Sequence, residues 1–234
     1  MRWRFVLCWL CVSNVCFYSL SREEIMKTSS YFQSNLFTIQ DVVRKQSVTN
    51  SDTLLVKAIL LSAIGTKTND NKVIREAISL LEQYVKKEKN AFAVAYLAMN
   101  YALVARYDNN ASIKTQYSQK AIRTFREAVE QDKKEWYIRF LRGNVLFEFP
   151  EFFGVMPTVK EDFFYLEDLV KKGELKDPSI LVSVYYFLGE IYKLDKKISQ
   201  ALSYWQKCVE IADKEGMVNE DVEKAKKRIE LFSD

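Results

Sequence analysis

The sequence predicts an all-α fold, with four helical hairpins set between an N-terminal helix and a C-terminal capping helix. Three observations carry this. Small residues recur at Ala77, Ala121, Val159 and Ala201, each followed four residues later by Leu81, Phe125, Phe163 or Trp205. Six glycines and three prolines in 234 residues are too few for a sandwich of short strands and tight turns. The chain is also 48% apolar, enough to build a core and too much for disorder.

The first 21 residues predict export. Arg2 and Arg4 give a positive start, Phe5 to Leu20 is apolar except at Ser13, Asn14 and Ser19, and Ser19-x-Ser21 offers a cleavage site before Arg22. An uncleaved membrane anchor is the alternative, although the run is short of the ~20 residues that span a bilayer. Lipidation at Cys16 is a third, although Val15 is a poor residue to precede a lipid-bearing cysteine. Next, Ile25, Phe32, Leu36, Ile39 and Val43 form one stripe of a helix over Glu23–Lys45. A polar loop over Ser47–Asp52 ends in two N-cap candidates, Ser51 and Asp52.

The first hairpin pairs Thr53–Ile64 with Lys72–Lys86, and Gly65 is placed as the C-cap of its first helix. The second is marked by Leu97-Ala98-x-x-Tyr101 and Ala121-x-x-x-Phe125-x-x-Ala128, with a linker around Tyr107–Ser112 that calls for extended helices. In the third, Trp136–Phe149 contains Gly143-x-x-Leu146, and Val159-x-x-x-Phe163-x-x-Leu166 follows. Pro150 stops one helix and Pro157 suits the first turn of the next. The fourth opens on Asp177-Pro178, a cap followed by proline at the first helical position. Glu220–Phe232 carries Val222, Ala225, Ile229 and Phe232 on one stripe and reads as the cap of an open end. Gly143 and Gly189 are assigned to close crossings, Gly173 and Gly216 to helix ends, and Gly154 to a loop.

The fourth hairpin, Tyr185-x-x-Leu188-Gly189-x-x-Tyr192 followed by Ala201-x-x-x-Trp205-x-x-Cys208, resembles the tetratricopeptide (TPR) repeat. The resemblance covers roughly Thr53–Asp213. It implies a right-handed TPR-like solenoid forming one domain over residues 22–234, with a concave groove lined by the first helix of each hairpin. The small positions lie 44, 38 and 42 residues apart, against about 34 in the standard repeat, so helices or loops should be longer than usual. The Phe-Pro-x-Phe-Phe-Gly segment at 149–154 also resembles exported bacterial TPR proteins that accompany tripartite solute transporters. The place of Cys208 in the repeat implies a small core residue and a buried, inert thiol.

Composition narrows function. There is no histidine, so the commonest general base and metal ligand are both missing. No G-x-G-x-x-G or Walker sequence occurs. Loss of Arg2 and Arg4 with a signal would lower the net charge from +4 to about +2, and the basic clusters lie at helix ends, which suits the helix dipole rather than nucleic acid. Only Cys208 would then remain, so no internal disulfide could form. The resemblance and these exclusions imply a non-enzymatic binding or scaffold protein of the periplasm or cell envelope, without cofactor or metal. Its partner would be a protein, a peptide or a small apolar molecule, with the membrane touched only through the N-terminal segment. An accessory subunit of an envelope solute transporter is the alternative.

By helical spacing, Phe92, Met99, Tyr137, Asn144, Phe147, Tyr186, Glu190 and Lys193 should face the groove. The competing reading lays the N-terminal helix in the groove and makes these aromatics core. Lys193 is the one basic residue among the faces from Tyr137 onward, which argues against a carboxylate clamp. Phe149, Phe152, Phe153 and Met156 form a second candidate, expected to tuck between helices rather than meet a partner. Glu148, Glu151, Glu161 and Asp162 are the carboxylates that an acid/base pair would draw on, although solvated helix faces account for most such residues.

Overall fold

The computed structural model describes residues 51–233. The export segment, the helix over 23–45 and most of the polar loop after it lie outside the described residues. The chain divides into two compact units, Met1–Asp132 and Lys133–Asp234, a division that falls between the second and third hairpins. Among the described residues every regular element is helical.

In the first unit α1 (Ser51–Thr68) pairs with α2 (Asn71–Val85), and α3 (Ala91–Tyr107) with α4 (Ala111–Gln131). Helix α2 buries one stripe, Ile74, Ala77, Ile78, Leu81 and Tyr84, at the spacing of a helix with one face to the core. Helices α1 and α3 differ, with buried residues around most of their circumference (Leu54 to Ile64, and Ala93 to Ala105). First helices therefore occupy the interior of this unit. The second-hairpin linker is only Asp108–Asn110, and the extra length lies in the 21 residues of α4.

In the second unit α5 (Trp136–Phe147), a 3₁₀ turn at Glu151–Phe153 and α6 (Met156–Lys171) form the third hairpin. Helices α7 (Pro178–Leu194) and α8 (Ile198–Glu215) form the fourth, and α9 (Glu220–Phe232) packs on both. Pro157 and Pro178 stand in first turns as their fixed φ favours. Side-chain caps come from Asp70, Asn90, Asn110, Glu135, Asp177 and Asn219, each accepting from first-turn backbone N–H groups. Such caps contribute about 1 kcal/mol apiece.

Gly65 corrects the sequence reading. It lies inside α1, buried, where a Cβ would come within 2.5 Å of Ile74 Cγ1 on α2. It is a crossing glycine, as Gly189 is in the fourth hairpin. The left-handed residue that ends α1 is Asn69 (φ 54), beyond which Asp70 N–H reaches back to Gly65 O at 3.2 Å. Helix α7 ends the same way on Lys196 (φ 60), with Lys197 N–H on Tyr192 O. Gly173 and Gly216 (φ 70 and 64) do so on α6 and α8, as expected.

Candidate functional site

Helix crossings set the faces of the second unit. Trp205 is fully buried, and a Cβ on Gly189 would meet its Nε1 at 2.3 Å, so the indole fills the space that glycine leaves. Ala201 and Cys208 are equally buried below it. Burial pushes the Cys208 thiol up to about 12, which keeps it protonated and unreactive at neutral pH. In the third hairpin a buried ion pair joins α5 to α6. Arg142 donates through Nε to Asp162 Oδ2 and through Nη2 to Oδ1, both at 2.7 Å, and Arg139 Nη1 adds a 3.1 Å contact. Burial pushes the Asp162 carboxyl up against the pull of Arg142 and Arg139.

The first-helix face of this unit runs over α5, α7 and α9. On α5, Tyr137 packs edge-on against Trp136 and lies near Phe140, Asn144 is half-buried, and Phe147 sets its ring 5.1 Å from Phe187 on α7. On α7, Tyr186, Glu190 and Lys193 form one stripe at helical spacing. Here the structure adds what the sequence did not show: α9 lies along that stripe. Arg228 Nε donates to Glu190 Oε1 at 2.8 Å, and Lys193 Nζ to Glu190 Oε2 at 2.5 Å. Ser183 donates to Asp221 at 2.6 Å, and Lys224 stands 6.0 Å over the Tyr186 ring. Tyr186 and Glu190 are consequently 6% and 4% exposed. Burial, then the charge of Glu190, holds the Tyr186 phenol well above its ordinary range. Both polar contacts span 38 residues, about one hairpin, so α9 fills the slot of a next first helix. Periodicity showed the apolar stripe of α9 but not where its charges would land.

Phe92 and Met99 belong to the first unit, both half-buried, with the Phe92 ring 4.8 Å from Tyr96. Behind them Asn100 donates to Ser62 Oγ at 2.7 Å and to Tyr96 O at 2.8 Å, a buried polar link between first helices α1 and α3. Within each unit a tyrosine ties one hairpin back to the one before it, from first helix α3 in the first unit and from second helix α8 in the second. Tyr101 donates to Glu82 at 2.7 Å under Lys120, and Tyr204 donates to Glu167 under Lys207.

The carboxylates do not assemble an acid/base pair. Asp162 and Glu161 are both bound to Arg139, and Glu148 and Glu151 are exposed. No group of three His, Cys, Asp or Glu that could hold a metal occurs among the described residues. No helix among them is long and apolar enough to cross a membrane. The 149–156 loop departs from its expected tucked state. Val155 is buried and Phe149, Phe153 and Met156 are half-buried, but Phe152 is 78% exposed.

Crossing glycines, repeated small-to-aromatic spacings and stacked hairpins define an all-α, TPR-like helical-repeat protein. No family model matches the chain, and no curated protein matches it. Among solved structures it is similar to the crystal structure of MamA at 17% identity and a TM-score of 0.45, covering 85% of this chain and 98% of that one. A likeness that distant says nothing about what either chain binds.

Proposed function

We propose that this protein is a non-enzymatic scaffold that holds a protein or peptide partner on its first-helix faces. One observation carries the reading. On α5, Tyr137, Asn144 and Phe147 stay half-exposed along one side, while Ile138, Arg142 and Leu146 are committed to the interior. An aromatic and polar stripe on a rigid helix suits recognition of an extended or helical segment. The tying of Glu161 and Asp162 to arginine supports a binding role over a catalytic one.

The test is capture of a partner from an envelope extract by the full chain, followed by titration of that purified partner. Tyr137→Ala and Asn144→Ala should each weaken binding about tenfold, equivalent to about 1.4 kcal/mol, with melting temperature held. Unchanged affinity in both variants would remove the α5 face from the reading. Export belongs to the same proposal and rests on Arg2, Arg4, the apolar run and Ser19-x-Ser21. The mature terminus should be at or near Arg22, and an intact Met1 in a soluble cytosolic fraction would sink it.

A further inference from the structure

Two exposed turns at one end of the second unit each carry an exposed apolar side chain and are opposite in charge. The first is the 3₁₀ turn after α5. Phe153 N–H donates to Pro150 O at 3.1 Å, Gly154 N–H donates to Glu151 O at 2.9 Å, and Gly154 closes the turn at φ 63. The Phe152 ring lies tilted against Phe153 at 4.5 Å, and Phe149 meets Phe153 edge-on at 5.6 Å. The Phe152 ring is left to solvent next to the exposed carboxylate of Glu151, with exposed Glu148 at the end of α5. The second is the turn between α7 and α8. Leu194 is 52% exposed there, followed by exposed Lys196 and Lys197. The intervening Asp195 is taken by Lys160 Nζ at 2.5 Å, which neutralises the one acid in that turn. The same ion pair ties the start of α6 to the α7–α8 turn, placing both turns at one end.

An apolar knob next to an acid and an apolar step next to bases are self-complementary in charge. Two-fold pairing sets each knob on the other copy's step, as an isologous contact requires. We propose that this end of the second unit pairs with a second copy of the same chain, with Phe152 seated on Leu194 of the other copy and Glu151 facing its Lys196. A lipid surface fits less well, since Glu151 next to the exposed ring and Glu148 at the end of α5 would be repelled by anionic headgroups. The contact uses the turn after α5 rather than Tyr137 and Asn144 on the helix itself, and goes beyond the partner-binding proposal. Two turns from each copy make a small interface of the weak class, and its rim charges make it sensitive to salt.

The test uses the full chain, solubilised in non-ionic detergent, as a mixture of ¹⁴N and ¹⁵N copies treated with a carbodiimide that joins touching carboxylates and amines. Mass spectrometry should find Glu151 joined to Lys196 in mixed-isotope peptides, with yield falling at least fivefold in high salt. Phe152→Ala should lower that yield to a similar degree. Sedimentation at high concentration should show self-association that E151K and K196E each abolish alone, because either puts like charges together twice. Mixing E151K with K196E should restore it, since both contacts are then opposite in sign. All three substitutions are at exposed positions and should leave the melting temperature unchanged. Same-isotope links alone, or a mixed pair no better associated than E151K by itself, would overturn the proposal.

Discussion

At the scale of single residues, the three crossing glycines do the same job with different tolerances. A methyl group at Gly189 would lie 2.3–2.4 Å from Trp205 ring atoms, whereas at Gly143 the nearest atom is the edge of Phe163 at 3.0 Å. Alanine gains about 1 kcal/mol over glycine in a helix, and overpacking costs about 1–3 kcal/mol or more. Gly189→Ala should therefore destabilise clearly, because the fully buried indole has no room to retreat. Gly143→Ala should come out near neutral, because a small ring shift accommodates it. Urea unfolding of both variants checks the order, and equal losses would show that the crossings are not limited by these contacts. Cys208 allows a second residue-level prediction. With Cys8, Cys11 and Cys16 changed to serine, the native chain should resist thiol reagents at pH 8 and react once unfolded. Its thiol is buried and pushed up to about 12, so prompt native labelling would contradict the burial.

Between helices, stability rests on a few polar ties whose partners lie on different elements. Asp162→Ala would leave Arg142 buried without its carboxylate, which costs about 3–5 kcal/mol. Replacing Arg142 and Asp162 together by leucine should cost much less, because no charge is then stranded, and urea unfolding separates the two cases. Helix α9 carries the other test. Tyr186→Ala should lower the stability of the free protein by about 3 kcal/mol, since the ring is sandwiched between α7 and α9 rather than held out to a partner. Asp221 adds a pH signature. Burial raises its carboxyl above the ordinary value, opposed by the Ser183 hydrogen bond and Lys224. A raised carboxyl binds its proton more tightly folded than unfolded, so its contribution is greatest below the unfolded value and declines as pH rises toward the folded one. Wild type should accordingly gain stability relative to Asp221→Asn as pH falls through the carboxylate range. A pH-independent difference in melting temperature would refute this.

At the scale of the whole chain, the parts legible in the sequence are those fixed by neighbours along the helix. The small-to-aromatic spacing of Ala201 and Trp205, the Asp177-Pro178 cap and the stripe of α9 all follow from 3.6-residue periodicity. Gly65 looks like a helix end because the polar run Thr66 to Asp70 follows it, and only the approach of Ile74 shows its use. The contact of Arg228 with Glu190 and the exposure of Phe152 depend on how hairpins stack, which no local pattern reports. Even so, these contacts stay short-ranged: the Arg75–Tyr117 hydrogen bond spans 42 residues, and those that tie α7 to α9 span 38. Stacked hairpins joined only to near neighbours behave as nearly independent blocks. The second unit has its own core, centred on Phe163, Leu188 and Trp205, its own caps and its own closing helix. Residues 133–234 expressed alone should therefore fold, giving a helical spectrum and one cooperative thermal transition. The core is small for about 100 residues, so its stability should fall at the lower end of the usual 5–15 kcal/mol. Carrying Asp162→Ala into that fragment should unfold it outright, since the loss of about 3–5 kcal/mol approaches the whole margin. A fragment without cooperative melting would mean that the unit depends on the rest of the chain for its fold.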